Sequence, residues 1–235
     1  MELNTIVLPT GEQVDPSEWT TTPLYSTVEA QIGVAISTLQ LFSYSIGQPV
    51  PITPSTLVGS QRTSTIADTN MRGDGILPED ERIILYSIQV ELINAGIPAE
   101  AANDGSAEAP DMSLDMTLFC QRDTLAILHV GSRLKEYCRA PIGYFPGTVG
   151  VNRIAQPNAQ VDGAHNALHG YKVAYNSGID PQDGRDFASP HDIPGGTVFD
   201  LSLEFPIGGI NPTAGAGNLV RFRSKFYGFR KRPVT

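Results

Sequence analysis

The sequence predicts an all-β sandwich of about eight short strands, and three observations support this fold class. Apolar residues alternate with polar ones in several separate stretches, as in a strand with one buried face. Glycine (23) and proline (18) residues punctuate the chain between those stretches. The length of 235 residues allows a core without metals or disulfides. No hydrophobic run is long enough to span a bilayer.

Residues 1–30 are predicted to form an extended N-terminal arm. The stretch is rich in threonine and proline and carries the single tryptophan, Trp19. Apolar residues in such an arm need a surface to rest on, either the barrel wall or a neighbouring molecule. The start, Met1 to Asn4, lacks the basic and apolar regions of a signal peptide, so the sequence predicts a protein that is made in the cytoplasm and stays soluble until it meets its partners.

The body of the fold is predicted over residues 31–140 and 197–235. Its first strand is expected around residues 34–45. Within that stretch the apolar phase shifts at Leu39 and Leu41, which indicates either a bulge or two short strands.

The clearest strand lies around residues 82–92. A helix beginning at Pro78 is the competing interpretation, but period two and the density of β-branched residues favour a strand. Residues 112–130 are predicted to form a hairpin that ends in a short apolar strand. The strand around 82–92 is expected to place five apolar residues on one face: Ile84, Tyr86, Ile88, Val90 and Leu92.

Residues 141–196 are rich in glycine, proline, asparagine and aspartate, and they are predicted to form a loop-rich insertion that projects outward. Alternation returns at Phe199 to Phe205 and again in the last strand, residues 219–229. About eight strands, with the last ones returning after a long excursion, fit a jelly roll better than an up-and-down barrel.

The last strand has a basic face, although the net charge of the chain is −9. Such a face predicts an anionic partner: a membrane surface, nucleic acid or an acidic neighbour. The solvent face of a terminal strand is the alternative. Arginines outnumber lysines twelve to four, a bias favoured either by high salt or by genome base composition. The candidate contact residues are Arg221, Arg223, Lys225, Arg230, Lys231 and Arg232.

Two further groups of residues are weak candidates for a site. Asp180, Asp183 and Asp186 form an acidic loop that could hold calcium, but their spacing is not that of an EF-hand. Cys120 and Cys138 are either buried free thiols or a disulfide, within or between chains.

No catalytic constellation, resident metal or cofactor is predicted. His165 and His169 are four residues apart, but adjacent glycines argue against a helix and no glutamate follows His165, so they are expected to be loop histidines. The sequence contains no His-x-His pair, which a cupin-type metal enzyme needs. The tripeptide Arg72-Gly73-Asp74 matches an adhesion motif and is attributed to chance.

The segments Thr63–Asn70, Gly75–Pro78 and Arg82–Leu92 look like the opening of a capsid jelly roll. With its length, acidic Lys-poor body and basic last strand, the chain resembles the single (vertical) jelly-roll major capsid proteins of internal-membrane icosahedral viruses, particularly those of halophilic archaea. The resemblance implies a structural virion protein that forms capsomers with itself and a second, related capsid protein. It also implies a lipid membrane on the inner side and no specific nucleic acid.

The basic face gives one testable expectation. Replacing Arg230, Lys231 and Arg232 by serine should weaken membrane-associated assembly and leave folding intact. The rival function is a carbohydrate-binding or adhesin sandwich, in which exposed aromatic residues such as Trp19, Tyr171 and Tyr175 would line a groove.

Overall fold

The computed structural model describes most of the predicted body and parts of the insertion. Regular structure in the described part is all strand, apart from two short 3-10 turns, Pro16–Glu18 and Ile142–Tyr144. The described residues are 6–8, 11–31, 34–53, 61–94, 124–132, 135–145, 157–161, 168–171, 187, 189–209 and 219–231. The strands are β1 (Ile6–Val7), β2 (Gln13–Val14), β3 (Trp19–Thr20), β4 (Leu24–Gln31), β5 (Thr38–Leu41), β6 (Ile52–Thr53), β7 (Arg82–Asn94), β8 (Leu125–Val130), β9 (Lys135–Pro141), β10 (Pro157–Val161), β11 (Leu168–Tyr171), β12 (His191–Ile193), β13 (Phe199–Glu204) and β14 (Leu219–Lys231).

Most of these strands belong to two sheets. A six-stranded sheet has the order β12-β7-β14-β4-β6, with β3 also paired to the end of β14. A four-stranded sheet has the order β5-β13-β8-β9. All pairings are antiparallel except β4 with β6, while β1–β2 and β10–β11 form separate two-stranded pairs. The predicted all-β sandwich is therefore confirmed.

Four of the antiparallel pairs are nested in the sequence. Strand β4 pairs with β14, β5 with β13, β7 with β12, and β8 with β9. The chain thus runs out through four strands and returns beside itself through four more, as one long hairpin divided between the two sheets.

The core lies between the two sheets and is centred on aromatic rings. Phe42 packs against Phe226 with 4.2 Å between ring centroids and against Phe199 at 5.6 Å. Apolar residues of both sheets complete one continuous cluster, which includes Leu24, Val28, Leu85, Ile88, Val90, Leu128, Leu201, Leu203 and Phe222. This shared core makes the two sheets one sandwich.

The strand predicted around residues 34–45 is shorter than expected and ends at a left-handed residue. Strand β5 covers only Thr38–Leu41 of the predicted stretch 34–45. Phe42, directly after it, adopts a left-handed backbone with φ of 63°. That conformation turns two successive side chains inward, and Leu41 and Phe42 are both fully buried.

Strand β7 contains a bulge that the sequence analysis did not anticipate. In its pairing with β14, Tyr227 faces Ser87 whereas Gly228 faces Leu85, so Tyr86 is the extra residue. Ile83 and Leu85 face the core on one side of the bulge, and Ile88 and Val90 face it on the other. The prediction that Ile84 to Leu92 share one face is therefore wrong, because Ile84 points outward.

The predicted N-terminal arm is shorter than expected. Residues 24–30, placed in the arm over 1–30, form most of β4 inside the six-stranded sheet, so the arm prediction is wrong for them. Leu8, Val14 and Trp19 of the arm lie against the outside of the same sheet. Together with Ile84 they form a second apolar cluster, with Tyr86 and Phe229 packed against it.

Two other segment predictions change in the same way. Residues 191–193, assigned to the insertion over 141–196, form β12 and pair with β7, so they belong to the body. The apolar strand that ends the hairpin predicted over 112–130 is confirmed as β8. The first half of that hairpin lies outside the described residues, and β8 pairs with β9 and β13.

Candidate functional site on the last strand

The two predicted faces of the last strand are confirmed. Phe222, Ser224 and Phe226 are buried, and Arg221, Arg223 and Lys225 are half-buried on the opposite side. Because β14 lies between β4 and β7, its basic face is the middle of the outer surface of the six-stranded sheet rather than an edge.

Arg221 is held by a buried carboxylate of the neighbouring strand. Its Nε donates to Glu29 Oε1 at 2.8 Å, and Arg62 Nε donates to the same oxygen at 3.2 Å. The Glu29 side chain is only 8 % exposed. Two arginines on one buried carboxylate satisfy its charge locally, since a buried carboxylate needs a paired and hydrogen-bonded cation.

Arg62 also binds Asp68 through both terminal nitrogens, at 2.6 and 2.5 Å. The backbone N–H and the hydroxyl of Thr65 donate to the same carboxylate at 3.0 and 3.1 Å. These hydrogen bonds, chiefly the one from Arg62, lower the pKa of Asp68 to about 2. The segment over residues 61–70 is thereby fastened across the strand pair β4–β14.

Arg223 makes two contacts with uncharged acceptors. Its Nε donates to Thr27 Oγ1 at 3.2 Å, and its terminal nitrogen donates to the backbone carbonyl of Ala67 at 2.8 Å. The covering segment therefore reaches Arg223 as well as Arg221.

A second Arg–Glu–Arg bridge holds the other end of β14. Arg230 donates to Glu81 Oε2 through two nitrogens at 3.0 and 2.7 Å, and Arg72 donates to Glu81 Oε1 at 3.1 Å. The Glu81 side chain is 1 % exposed and that of Arg230 is 13 % exposed. Lys231 forms an exposed pair with Glu18 at 3.3 Å.

These contacts place the sequence-predicted basic residues in a network inside the chain. Arg221, Arg230 and Lys231 each meet a carboxylate of this chain. Arg232 lies outside the described residues. The predicted contact with an anionic partner stays a prediction, and the described cations that it named already have partners that such an anion would have to displace.

The short strand β6 covers only the end of β4, and the rest of this outer edge of β4 is closed by side chains. Asn70 Oδ1 accepts from the backbone N–H of Tyr25 at 2.9 Å. The Tyr44 hydroxyl accepts from the N–H of Thr27 at 3.3 Å and donates to the carbonyl of the same residue. Burial raises the pKa of Tyr44 to about 12, which keeps this donor protonated. An edge closed in this way offers little to an added strand.

The metal and disulfide candidates fall largely beyond the described part of the chain. Asp180, Asp183, Asp186, His165 and Cys120 lie outside the described residues, and the His169 side chain is not described. Within the described ranges, no three His, Cys, Asp or Glu side chains are grouped to hold a metal ion. Cys138 is a half-buried free thiol, and burial raises its pKa.

Sequence reasoning missed one polar cluster, on the outside of the four-stranded sheet. Asp200 Oδ1 lies 2.8 Å from His129 Nδ1 and accepts from the Ser202 hydroxyl at 3.1 Å. These are triad residue types, but Ser202 binds the aspartate rather than the imidazole, so the serine is not activated. Alternation along β8 and β13 places them on one face, although their cross-strand register could not be read from sequence.

Two other sequence candidates can also be located. Trp19, proposed for a carbohydrate groove, is 9 % exposed and packs in the outer apolar cluster. The Tyr171 side chain is not described, and Tyr175 lies outside the described residues. Arg72 of the Arg72-Gly73-Asp74 tripeptide is committed to the Glu81 bridge.

Nothing in the described part is a helix of the length and apolar character required to cross a membrane. No protein-family model, curated protein or solved structure matches the chain.

Proposed function

We propose that the chain is a structural subunit of a viral capsid, built as a single jelly roll. The observation that carries this proposal is the nested pairing of β4 with β14, β5 with β13, β7 with β12 and β8 with β9. A hairpin folded into two four-strand layers is the topology of the jelly roll, an architecture used by viral capsid domains and also by lectins and cupins.

The choice of capsid over the other jelly-roll functions rests on three features. The segments over 63–92 resemble a capsid protein of the internal-membrane icosahedral type. The sequence contains no His-x-His pair, which a cupin-type metal centre needs. The tryptophan that a carbohydrate groove would have used, Trp19, is covered by the chain itself. Because one fold hosts many functions, the fold alone does not select a capsid role, and the preference for it depends on the resemblance and on these residues.

The proposed role includes partners and a place. The subunit would assemble with copies of itself and with a second, related capsid protein into an icosahedral shell, over a membrane and in the virion. The acidic, Arg-rich composition supports a halophilic setting. The closed edge of β4 favours assembly through side-chain surfaces rather than through added strands.

The proposal is tested by the association of the purified chain. We expect size-exclusion chromatography with light scattering to give discrete multimers, and negative-stain electron microscopy to show regular particles, when the chain is mixed with its partner capsid protein and anionic vesicles. A chain that stays monomeric in this mixture, yet binds defined oligosaccharides on a glycan array, would contradict the capsid proposal and support the carbohydrate-binding alternative.

A further inference from the structure

We propose that an aromatic seam, formed by Tyr137, Phe187 and His191, joins the edge strands of the two sheets and loosens on acidification. The inference is independent of the capsid proposal, because it concerns the stability of the sandwich itself.

The seam is defined by two ring contacts. The His191 ring meets Phe187 at 4.6 Å between centroids with a 61° interplanar angle, and it meets Tyr137 at 5.1 Å and 83°. Both are edge-on arrangements, which aromatic rings favour. Phe187 is fixed by its backbone N–H, which donates to the carbonyl of Tyr86 at 2.7 Å.

These contacts connect strands of different sheets. Tyr137 belongs to β9, an edge strand of the four-stranded sheet, and His191 belongs to β12, an edge strand of the six-stranded sheet. No backbone hydrogen-bond ladder joins β9 to β12 in the described part of the chain. The described contact between these two edge strands is therefore made by side chains, through the Tyr137 and His191 rings.

Among the described groups around His191, no acceptor is placed to bind a protonated imidazole. The Lys135 ammonium already lies over the Tyr137 ring, 5.5 Å from its centroid. Strand β7 presents an apolar residue, Leu85, opposite His191 in the register. The His191 imidazole forms no hydrogen bond with another described residue. A protonated His191 would therefore be a charge in a partly desolvated position with no described acceptor to bind it.

Among the described residues, the carboxylates next to His191 and Tyr137 in the sequence are committed elsewhere. Asp192 receives both donors of Arg82, at 2.9 and 2.8 Å. Glu136 receives Arg139 at 3.2 Å. Burial lowers the pKa of His191, in agreement with this arrangement.

The direction of the pH effect follows from linkage. Because the folded state disfavours the charged imidazole, the unfolded chain takes up a proton first as the pH falls below about 6.5. The contribution of the seam is therefore complete above that pH and declines below it. Opening by this route should expose β9 before the rest of the core.

Cys138 reports on the seam, because it follows Tyr137 in β9 and packs against the core. In a Cys120→Ser background it is the single thiol of the chain. We expect its labelling rate with 4,4′-dithiodipyridine, divided by the rate of the unfolded chain at the same pH, to rise several-fold from about pH 8 to about pH 5.

His191→Phe keeps an aromatic ring without a titrating group, and it should abolish this rise. His129→Gln, which removes the histidine paired with Asp200, is the matched control and should keep it. The proposal is overturned if the parent shows no rise or if His191→Phe responds like the parent. If circular dichroism shows that His191→Phe does not fold, His191→Tyr takes its place in the same comparison.

Discussion

Glu29 and Glu81 each lie between two arginines, and in both cases one arginine comes from β14 and the other from residues 61–74. The guanidinium group suits this role because its planar fork bridges acceptors that a lysine ammonium would meet singly. All seven arginines among the described residues have a hydrogen-bond acceptor in the chain: Arg62, Arg72, Arg82, Arg139, Arg221, Arg223 and Arg230. Pairing inside the chain is thus a further explanation for the arginine bias of the sequence, beside high salt and genome base composition.

Replacing Arg230 by glutamine should lower the free energy of unfolding by roughly 1.5–3 kcal/mol, because Glu81 then loses a charged hydrogen-bond donor in a buried position. Urea denaturation measures this change. The exposed pair made by Lys231 is the matched control, and Lys231→Gln should cost no more than about 1 kcal/mol. Equal effects of the two substitutions would contradict the structural role of Arg230.

This difference corrects an expectation drawn from the sequence. The triple replacement of Arg230, Lys231 and Arg232 by serine was expected to leave folding intact. The buried bridge from Arg230 to Glu81 instead predicts a loss of stability, so a test of membrane contact should leave Arg230 in place.

Asp68 should make stability depend on pH in strong acid. Its pKa is lowered to about 2 from 3.8, so its contribution is complete above about pH 4 and is lost as the pH falls toward 2. Asp68→Asn should remove this part of the pH dependence and lower stability at neutral pH by about 2 kcal/mol. Urea denaturation at a series of pH values tests this, and an unchanged acid slope in the variant would contradict it.

The elements of the sandwich were predictable where alternation is regular and one-sided. Residues 199–205 and 219–229 fit a strand with an apolar face, and the structure places β13 and β14 there. Strand β4 was missed because three of its polar residues, Ser26, Thr27 and Glu29, are buried. Thr27 and Glu29 are covered through contacts with residues distant in sequence, which no local pattern reveals.

The bulge in β7 was hidden for the opposite reason. The residues Ile83, Ile84, Leu85, Tyr86 and Ile88 are so uniformly apolar that either register gives an apolar face.

The site was harder still to predict, because Arg221 and Glu29 are 192 residues apart. Sequence patterns identified the basic face but could not identify the acids that meet it.

Gly228 is required by the bulge. A side-chain Cβ at this position would overlap the carbonyl oxygen of Ile84. Gly228→Ala should therefore destabilise the protein by about 3 kcal/mol or more, or prevent folding. The control is Gly131→Ala, where φ is +89° and the space is open. It should cost only about 1–2 kcal/mol of backbone strain. Thermal unfolding followed by circular dichroism compares them.

The edges of the sandwich are protected in different ways. The edge of β4 is closed by Tyr44 and Asn70. Strand β9 has a register shift against β8 and carries Lys135, Glu136 and Arg139. Bulges and charges of this kind discourage strand-to-strand association. A shell built from this subunit would therefore depend on complementary side-chain surfaces, which leaves the two sheets unchanged on assembly.

The net charge of −9 should make stability rise with salt. Screening weakens the repulsion among exposed acids, while the buried bridges at Glu29 and Glu81 are screened much less. We expect the melting temperature to increase steadily as KCl is raised from about 0.1 M to about 3 M. A fall over the same range would contradict the halophilic setting proposed for the subunit.

The position of β14 also determines when the chain can fold. The last described strand pairs with both β4 and β7, so every earlier intermediate lacks the centre of its larger sheet. On the ribosome, β4 and β7 must wait for more than a hundred further residues before their partner emerges. Contacts of such long sequence separation slow folding and leave edges open to aggregation. The sandwich should therefore fold only after β14 has been synthesised, and the yield of native protein should depend on chaperones that hold the unpaired strands.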